Sequence, residues 1–199
     1  DFVMFLGDNM LELELASLVH QFINDRNNDS LSCRVLLKEV ENPSFFGVGV
    51  INDEGRVIKL IEKPKEPPSN LALVGVYFFT QAIHDAVLAI SHSKRGELEI
   101  TDAIQRLIDN GCVVDHHILD GWWIDTGKKD PLLECNRLVL SAVVGDIASN
   151  AVIDDGTDIS GVVQIGEGSV ISNSIIEGPV VIGKGVMVSD SQIRPFTSI

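Results

Sequence analysis

Ile165-Gly166-Glu167-Gly168-Ser169-Val170-Ile171 sets a pattern that returns as Ile182-Gly183-Lys184-Gly185-Val186-Met187-Val188. An aliphatic residue stands at every sixth position through Ile147, Ile153, Ile159, Ile165 and Ile171. After one slip the interval resumes at Ile176, Ile182 and Val188, with glycines and small polar residues between. Six residues make one flat side of a left-handed parallel β-helix with three sides per coil, and the aliphatic residue of each hexad points inward onto the coils above and below. An irregular β-sandwich with glycine turns would not hold one period for so long. The repeat is still running at Ile199, so the β-helix over 144–199 is expected to be incomplete.

The chain upstream of this repeat obeys a different rule. Phe2-Val3-Met4-Phe5-Leu6 has no polar alternation, the pattern of a strand buried on both faces of a parallel sheet, and Gly7 stops it. A chain that opens on such a strand suggests an upstream half. Leu11, Leu15, Leu18, Val19, Phe22 and Ile23 then recur at helical spacing up to the Asn27-Asn28-Asp29-Ser30 stop. Residues 31–40 read as a strand. Residues 47–51 and 56–61 flank Asn52-Asp53-Glu54-Gly55 and predict a β-hairpin with glycine where φ must be positive. Lys63-Pro64-Lys65-Glu66-Pro67-Pro68 is an extended connection to a strand over 71–79. Helices are predicted over 81–90 and 100–109, the second ended by Asn110-Gly111, with short strands at 112–117 and 122–124. Asp130-Pro131 reads as a cap followed by proline at the first helical position. The fold class is therefore α/β: a partial Rossmann-like mixed sheet with an added hairpin over 1–143, followed by the β-helix.

With 199 residues, 45% of them apolar, the chain can build one substantial core, or one domain and a small second one. Its 15 Lys and Arg against 29 Asp and Glu give a formal charge of -14, which argues against a nucleic-acid partner. No apolar run approaches the ~20 residues that span a bilayer, and residues 1–20 lack the features of a signal peptide. A membrane partner is therefore not expected. Cys33, Cys112 and Cys135 lack zinc-site spacing and read as reduced packing residues of a cytoplasmic protein.

Four polar clusters stand beside the ends of predicted strands: Gly7-Asp8-Asn9, Glu62-Lys63-Pro64, Arg95-Gly96-Glu97-Leu98-Glu99 and Trp123-Ile124-Asp125-Thr126-Gly127. Each alone has an ordinary structural explanation. Gly7-Asp8-Asn9 serves equally as a turn capping a helix, Lys63 and Arg95 as solvated surface, and Asp125 as a structural turn. In an open α/β sheet, however, ligands bind beyond the carboxyl ends of strands, where Asp8 stands. Two aspartates from distant strands suit Mg²⁺ once phosphate-binding residues are nearby.

Taken in order, Phe5-Leu6-Gly7-Asp8-Asn9, Phe46-Gly47-Val48, Glu62-Lys63-Pro64-Lys65, Val74-Gly75-Val76-Tyr77-Phe78, Arg95-Gly96-Glu97-Leu98-Glu99-Ile100-Thr101-Asp102 and Gly121-Trp122-Trp123-Ile124-Asp125-Thr126-Gly127 closely resemble the sugar-1-phosphate nucleotidylyltransferases. Within that family they look most like the glucose-1-phosphate thymidylyltransferases of the longer form, which carry a β-helix tail. The resemblance covers essentially the whole chain. It implies attack by glucose 1-phosphate on the α-phosphorus of dTTP, giving dTDP-glucose and pyrophosphate by positioning and charge neutralisation. By resemblance, Asp8 and Asp125 hold the Mg²⁺. Glu62 accepts from sugar hydroxyls, while Lys63 and Arg95 contact the phosphate and are the catalytic cations. Gly47 and Gly75 let the backbone approach the sugar, and Tyr77 lines the pocket. Glu97, Glu99 and Asp102 are assigned to support of the next helix.

The family's Gly-rich loop, GGxGTRLxPxT, and the lysine after it are not found in this sequence. That departure implies about half an active site, inactive alone. Three alternatives accompany the thymidylyl reading. One is uridylyl transfer on the same sugar phosphate. Another is a non-catalytic regulatory or scaffolding homologue, against which the retained Asp8, Asp125, Glu62, Lys63 and Arg95 argue. The last is an acyltransferase tail, against which the placement of all five histidines before residue 147 argues. The β-helix tail implies a homo-oligomer.

Overall fold

The apolar run that opens the chain forms strand β1 (Phe2–Phe5) in a computed structural model that describes residues 1–199, the side chain of Asp29 excepted. Then come β2 (Asn9–Leu11), α1 (Leu15–Asp29), β3 (Leu31–Glu39), β4 (Gly47–Ile51), β5 (Val57–Glu62), β6 (Leu71–Phe79), α2 (Ala82–Ala89), α3 (Ile100–Asp109), β7 (Val113–Ile118) and β8 (Trp123–Asp125). These elements form the first of two units, Asp1–Asp125; the second is Thr126–Ile199.

The main sheet of the first unit runs β5-β4-β6-β3-β7, with β1 also against β6. β3 and β7 are parallel, and the other neighbouring pairs are antiparallel. The mixed sheet and the added β4–β5 hairpin are as expected. The parallel direction expected for the first strand is corrected: β1 runs antiparallel to β6, with Phe2 opposite Phe79 and Phe5 opposite Val76. Its unbroken apolar character has a different origin. Val3 packs on the α1 face with Phe22, Val76 and Phe78, and Met4 packs on the other face with Phe79, Ile83 and Ile104. The expected burial on both faces is corrected too: Val3 and Met4 are half-buried on opposite faces, while Phe2 and Phe5 at the strand ends are exposed.

β6 carries the same logic to the centre of the sheet. Val74, Val76 and Phe78 face α1, while Leu73, Tyr77 and Phe79 face α2 and α3, all of them buried. Each fully buried apolar side chain of this kind contributes roughly 1.5–3 kcal/mol. On the α1 face Arg34 is buried between Asp25 and Asp115, 2.5 Å from each, and so ties β3 to α1 and β7. The hairpin turn is held by the Asn52 carboxamide, which accepts from the backbone of Glu54 and Arg56, with Gly55 at φ +77°.

The helical spacing that begins at Leu11 overextends the first helix. Leu11 belongs to β2, which pairs antiparallel with β8 in a separate two-stranded ribbon, Asn9 opposite Asp125 and Leu11 opposite Trp123. Local periodicity could not reveal that pairing, because the partner lies far along the chain.

The second unit begins with α4 (Lys129–Ser141). Its N-cap is Lys128 with no side-chain capping bond, so the expected Asp130 cap is corrected: Asp130 lies inside the first turn. There a carboxylate still favours the helix through the dipole. Ten short strands come after it: β9 (Asp146–Ile147), β10 (Val152–Ile153), β11 (Asp158–Ser160), β12 (Val163–Ile165), β13 (Val170–Ser172), β14 (Ile175–Glu177), β15 (Val180–Ile182), β16 (Met187–Ser189), β17 (Gln192–Ile193) and β18 (Thr197–Ser198). They stack as three parallel sheets, β10-β13-β16, β11-β14-β17 and β18-β15-β12-β9, which are the sides of a β-solenoid of about three turns. Ile165, Ile171, Ile176, Ile182 and Val188 fill its core as the hexad pattern requires. The slip in the period has a structural cause. Asn173 and Asp190 turn corresponding corners at φ +44° and +47° and need one residue fewer than regular hexads would. The Asn173 amide donates to Asp190 at 2.6 Å, and its backbone N–H donates to Asp154, so the three coils share one ladder. α4 falls in this unit, whereas the sequence division after residue 143 groups it with the sheet. Among the described residues no helix is long and apolar enough to cross a membrane.

Candidate functional site

A cleft of about 180 Å³ opens in the first unit where four structural pieces meet. The start of β4 and the end of β5 form one wall, the middle of β6 the floor, the N-terminus of α3 another wall, and the β2–β8 ribbon the last. Its lining includes Gly47, Glu62, Lys63, Gly75, Tyr77 and Asp125 from the sequence-predicted set. Arg95 and Asp8 join it through bonded neighbours.

Glu62 is the hub of the charged wall. Antiparallel register places it opposite Gly47. One carboxylate oxygen lies 3.1 Å from Arg95 Nη1 and 3.7 Å from Lys63 Nζ, and the other accepts from the Thr101 hydroxyl at 3.3 Å. Lys63 holds φ +39°, in the left-handed region that costs a non-glycine residue roughly 1–2 kcal/mol. Its backbone N–H is anchored to the Phe46 carbonyl at 3.0 Å. That anchor keeps the strained residue in place at the cleft edge.

Arg95 sits on a tight turn closed by Gly96 at φ +80° and by the bond from Gly96 N to the Ser93 carbonyl. Three carboxylates surround its guanidinium: Glu62 at 3.1 Å, Glu97 at 3.1 Å and Glu99 at 3.6 Å. Glu99 makes no capping bond to α3, although it occupies the N-cap position. Instead it accepts from Ser93 Oγ at 2.8 Å, lines the cleft, and fixes the turn that carries Arg95. Burial, with Glu99 as the second cause, raises the Asp102 carboxyl above its ordinary value.

The opposite wall is built by hydrogen bonds that the sequence did not announce. Trp123 Nε1 donates to Asn9 Oδ1 at 2.7 Å, which fixes the amide so that Nδ2 donates to Asp8 Oδ1 at 2.9 Å. Asn9 is buried, and Trp123 packs at a tilt against Phe46 with ring centroids 5.0 Å apart. The ribbon thus brings Asp8 and Asp125 to the same end, through the Asn9–Asp125 register pair. Asn9, Phe46, Glu99, Thr101 and Trp123 are site-lining residues missed in the sequence reading, although Asn9 and Trp123 stood inside quoted motifs.

The two glycines already have their Cβ space filled by protein atoms. A Cβ on Gly47 would lie 2.7 Å from Leu73 Cδ1 and 2.8 Å from Thr101 Cγ2. On Gly75 it would lie 2.8 Å from both Asn9 Nδ2 and Leu6 Cδ1. Tyr77 is buried beneath the cleft and stacks on Phe79. Burial, then the nearby Glu62 charge, pushes its phenol far above the ordinary range, so it remains neutral.

The donor chemistry at the ribbon end suits a divalent cation. Mg²⁺ usually takes one or two carboxylates and completes its shell with water and substrate phosphate oxygens, and two exposed aspartates offer such a half-shell. Among the described residues no cluster of three or more His, Cys, Asp or Glu is built to enclose a metal.

Comparison with known proteins places this geometry in context. The family described as nucleotidyl transferase matches residues 1–142. A glucose-1-phosphate thymidylyltransferase of Streptomyces antibioticus is 50% identical over 199 residues, all of this chain and 54% of that protein. A UTP–glucose-1-phosphate uridylyltransferase of Haloferax volcanii is 42% identical over 132 residues, 65% of this chain and 53% of that protein. A crystal structure described as a glucose-1-phosphate thymidylyltransferase from Bacillus anthracis, in complex with a sucrose, superposes with a TM-score of 0.62 at 33% identity. It covers 72% of this chain and 56% of its own. The chain spans about half the length of the curated relatives it matches.

Proposed function

Since the chain belongs to the nucleotidyl transferase family, we propose that the whole protein joins glucose 1-phosphate to dTTP, giving dTDP-glucose and pyrophosphate. The observation that carries this reading is the gathering of Glu62, Lys63 and Arg95 with Asp125 around one small cleft. At about 180 Å³ it lies below the roughly 300–1,000 Å³ typical of larger ligands, which suits a single sugar ring with its phosphate at the mouth.

In this reading a phosphate oxygen of the sugar attacks the α-phosphorus in line, the bond to the bridging oxygen breaks, and pyrophosphate leaves. Glu62 accepts from sugar hydroxyls while Thr101 and Arg95 keep its carboxylate oriented. Lys63 meets the attacking phosphate as a point charge, and the planar Arg95 fork holds the same phosphate by paired donors. Gly47 and Gly75 line the sugar pocket, where the missing Cβ makes room for Leu73, Thr101, Leu6 and Asn9 rather than for the sugar, and the neutral Tyr77 closes the floor. Mg²⁺ held by Asp8 and Asp125 would supply charge neutralisation between the reacting phosphates. Asn9 would hold the Asp8 carboxylate in register for it.

Uridylyl transfer to the same sugar phosphate is the second reading, favoured by the uridylyltransferase relative. In this reading the named cleft residues meet the sugar phosphate and the cation, so the two reactions would use them in the same roles. The reaction belongs in the cytoplasm of the cell, and the β-solenoid is the proposed contact for homo-oligomers. Pyrophosphate release by the whole protein, measured with glucose 1-phosphate and each nucleoside triphosphate, should be strongest with dTTP. It should fall by orders of magnitude in Asp8→Asn or Asp125→Asn with the fold intact. Equal inactivity with every nucleotide would remove the enzyme reading, and unchanged activity in the variants would remove the metal assignment.

A further inference from the structure

Lys38, on β3, points its ammonium at three successive backbone carbonyls: Leu119 at 3.0 Å, Asp120 at 3.3 Å and Gly121 at 2.8 Å. An ammonium has three N–H donors, and here each has an oxygen to meet. Three carbonyl oxygens converging on one point repel one another unless a cation or donor stands at their centre. The fold of residues 119–121 therefore depends on Lys38 in a way that an ordinary surface lysine would not impose.

This segment leads straight into the cleft wall. Leu119 N is bonded to the Leu37 carbonyl at 2.8 Å, so the chain leaves β7 directly beside Lys38. Two residues later Gly121 packs so tightly on the Glu12 backbone that a Cβ would lie 2.5 Å from the Glu12 carbonyl oxygen, and Glu12 N donates to the Trp122 carbonyl at 3.0 Å. Trp123–Asp125 then pairs with Asn9–Leu11. The segment is pinned at its start by one side chain and at its end by the ribbon register.

We infer that Lys38 is a positioning residue, which gathers the Leu119, Asp120 and Gly121 carbonyls and so sets where β8 begins and where Asp125 stands beside Asp8. It touches no substrate. The inference rests on the proposed reading of Asp8 and Asp125 as cation ligands for its functional consequence, and on geometry alone for the clamp itself.

The test compares the full chain with Lys38→Met and Lys38→Arg. Amide hydrogen exchange should rise about tenfold or more over residues 119–125 in Lys38→Met and return toward wild type in Lys38→Arg, with β3 and β6 unaffected. Mn²⁺ binding, followed by the electron paramagnetic resonance signal of the free ion, should weaken by roughly 10–100-fold in Lys38→Met, the usual loss when the support of a metal ligand is removed. Should Lys38→Met lose its cooperative melt, Lys38→Gln takes its place in the same comparison. Unchanged exchange over 119–125 in the neutral variant overturns the clamp. Altered exchange with unchanged Mn²⁺ affinity overturns the positioning of Asp125. A wild-type chain that binds no Mn²⁺ refutes the cation reading instead, and the exchange comparison then decides the clamp alone.

Discussion

Gly75→Ala should damage the cleft wall far more than its single methyl suggests. The new Cβ would lie 2.8 Å from Asn9 Nδ2, 2.8 Å from Leu6 Cδ1 and 3.0 Å from Asn9 Cγ, against ordinary contacts of about 3.5–4.0 Å. Leu6 is 40% exposed and can swing aside. Asn9 is 6% exposed and held at both ends, by Trp123 and by Asp8. The fold must either keep the overlap, at roughly 1–3 kcal/mol, or release Asn9. Release breaks one neutral hydrogen bond of about 0.5–1.5 kcal/mol and one to a carboxylate of about 1.5–3 kcal/mol. The cheaper route wins, so the expected loss is about 1–3 kcal/mol. The assay is urea unfolding followed by tryptophan emission, since Trp122 and Trp123 are the two tryptophans of the sequence and Trp123 loses its partner. With a slope of roughly 1–3 kcal/mol per molar, the midpoint should fall by about 1 M at the centre of these ranges and by at least about 0.3 M. Gly7→Ala is the control. Its Cβ would meet nothing within 4 Å, and it should change stability by less than about 0.5 kcal/mol. A Gly75→Ala protein as stable as that control would refute the reasoning.

Gly178→Ala should open the solenoid, because its Cβ would lie 2.1 Å from the Val162 carbonyl oxygen and 2.6 Å from Val162 N, backbone atoms that cannot step aside. Hydrogen exchange should show residues 160–180 unprotected, whereas Gly168→Ala, with open space but φ +69°, should cost only the roughly 1–2 kcal/mol of a left-handed residue. Asp115→Asn leaves buried Arg34 with Asp25 alone and should destabilise the first unit by up to about 3–5 kcal/mol, read by chemical unfolding. Stability should also fall in alkali. Burial raises the Cys33 thiol and the Tyr77 phenol in the folded state, so the unfolded chain loses those protons first, near the ordinary values of 9.0 and 10.0. Their contribution is complete below about pH 8. It is lost at about 1.4 kcal/mol per pH unit per group as pH rises past those values, and a flat urea midpoint between pH 8 and 11 would count against it.

The parts of the fold legible in the sequence are those whose physical cause is local or strictly repeated. The solenoid hexads are of that kind, because each inward aliphatic residue meets its like one coil away. So are the hairpin at Gly55 and the helix stop at Gly111, where only backbone freedom is at issue. β2 was hidden because its partner strand lies 114 residues on, and because Leu11 happens to continue the helical spacing of α1. The same distance hid Asn9. In sequence it is the last residue of a turn-like Gly-Asp-Asn, and its role appears only when Trp123 closes on it. Glu99 was misread for the opposite reason: it stands where a cap belongs, but the turn at Ser93 and Arg95 folds back and claims its carboxylate.

Charge sharpens what this cleft can accept. The chain is strongly acidic, and around the cleft Asp8, Glu62, Glu99 and Asp125 outnumber Lys63 and Arg95. Both cations are already paired with carboxylates. In the proposed reaction, a sugar phosphate entering with no other change would meet net repulsion, so the proposal requires two adjustments. One lies at Arg95. Its partner Glu97 is 61% exposed, and such surface pairs are worth at most about 1 kcal/mol, so the guanidinium can pass from Glu97 to a phosphate at little cost. Glu62 and Glu99, at 19% and 9% exposure, remain as the frame that keeps the arginine aimed. The other adjustment would lie at Asp8 and Asp125, whose carboxylates would repel a phosphate unless a divalent cation, as proposed, stood with them. In the proposed reaction the acidic ribbon end and the carboxylate-surrounded arginine are thus two sides of one requirement, that the phosphate arrive together with its counter-ion.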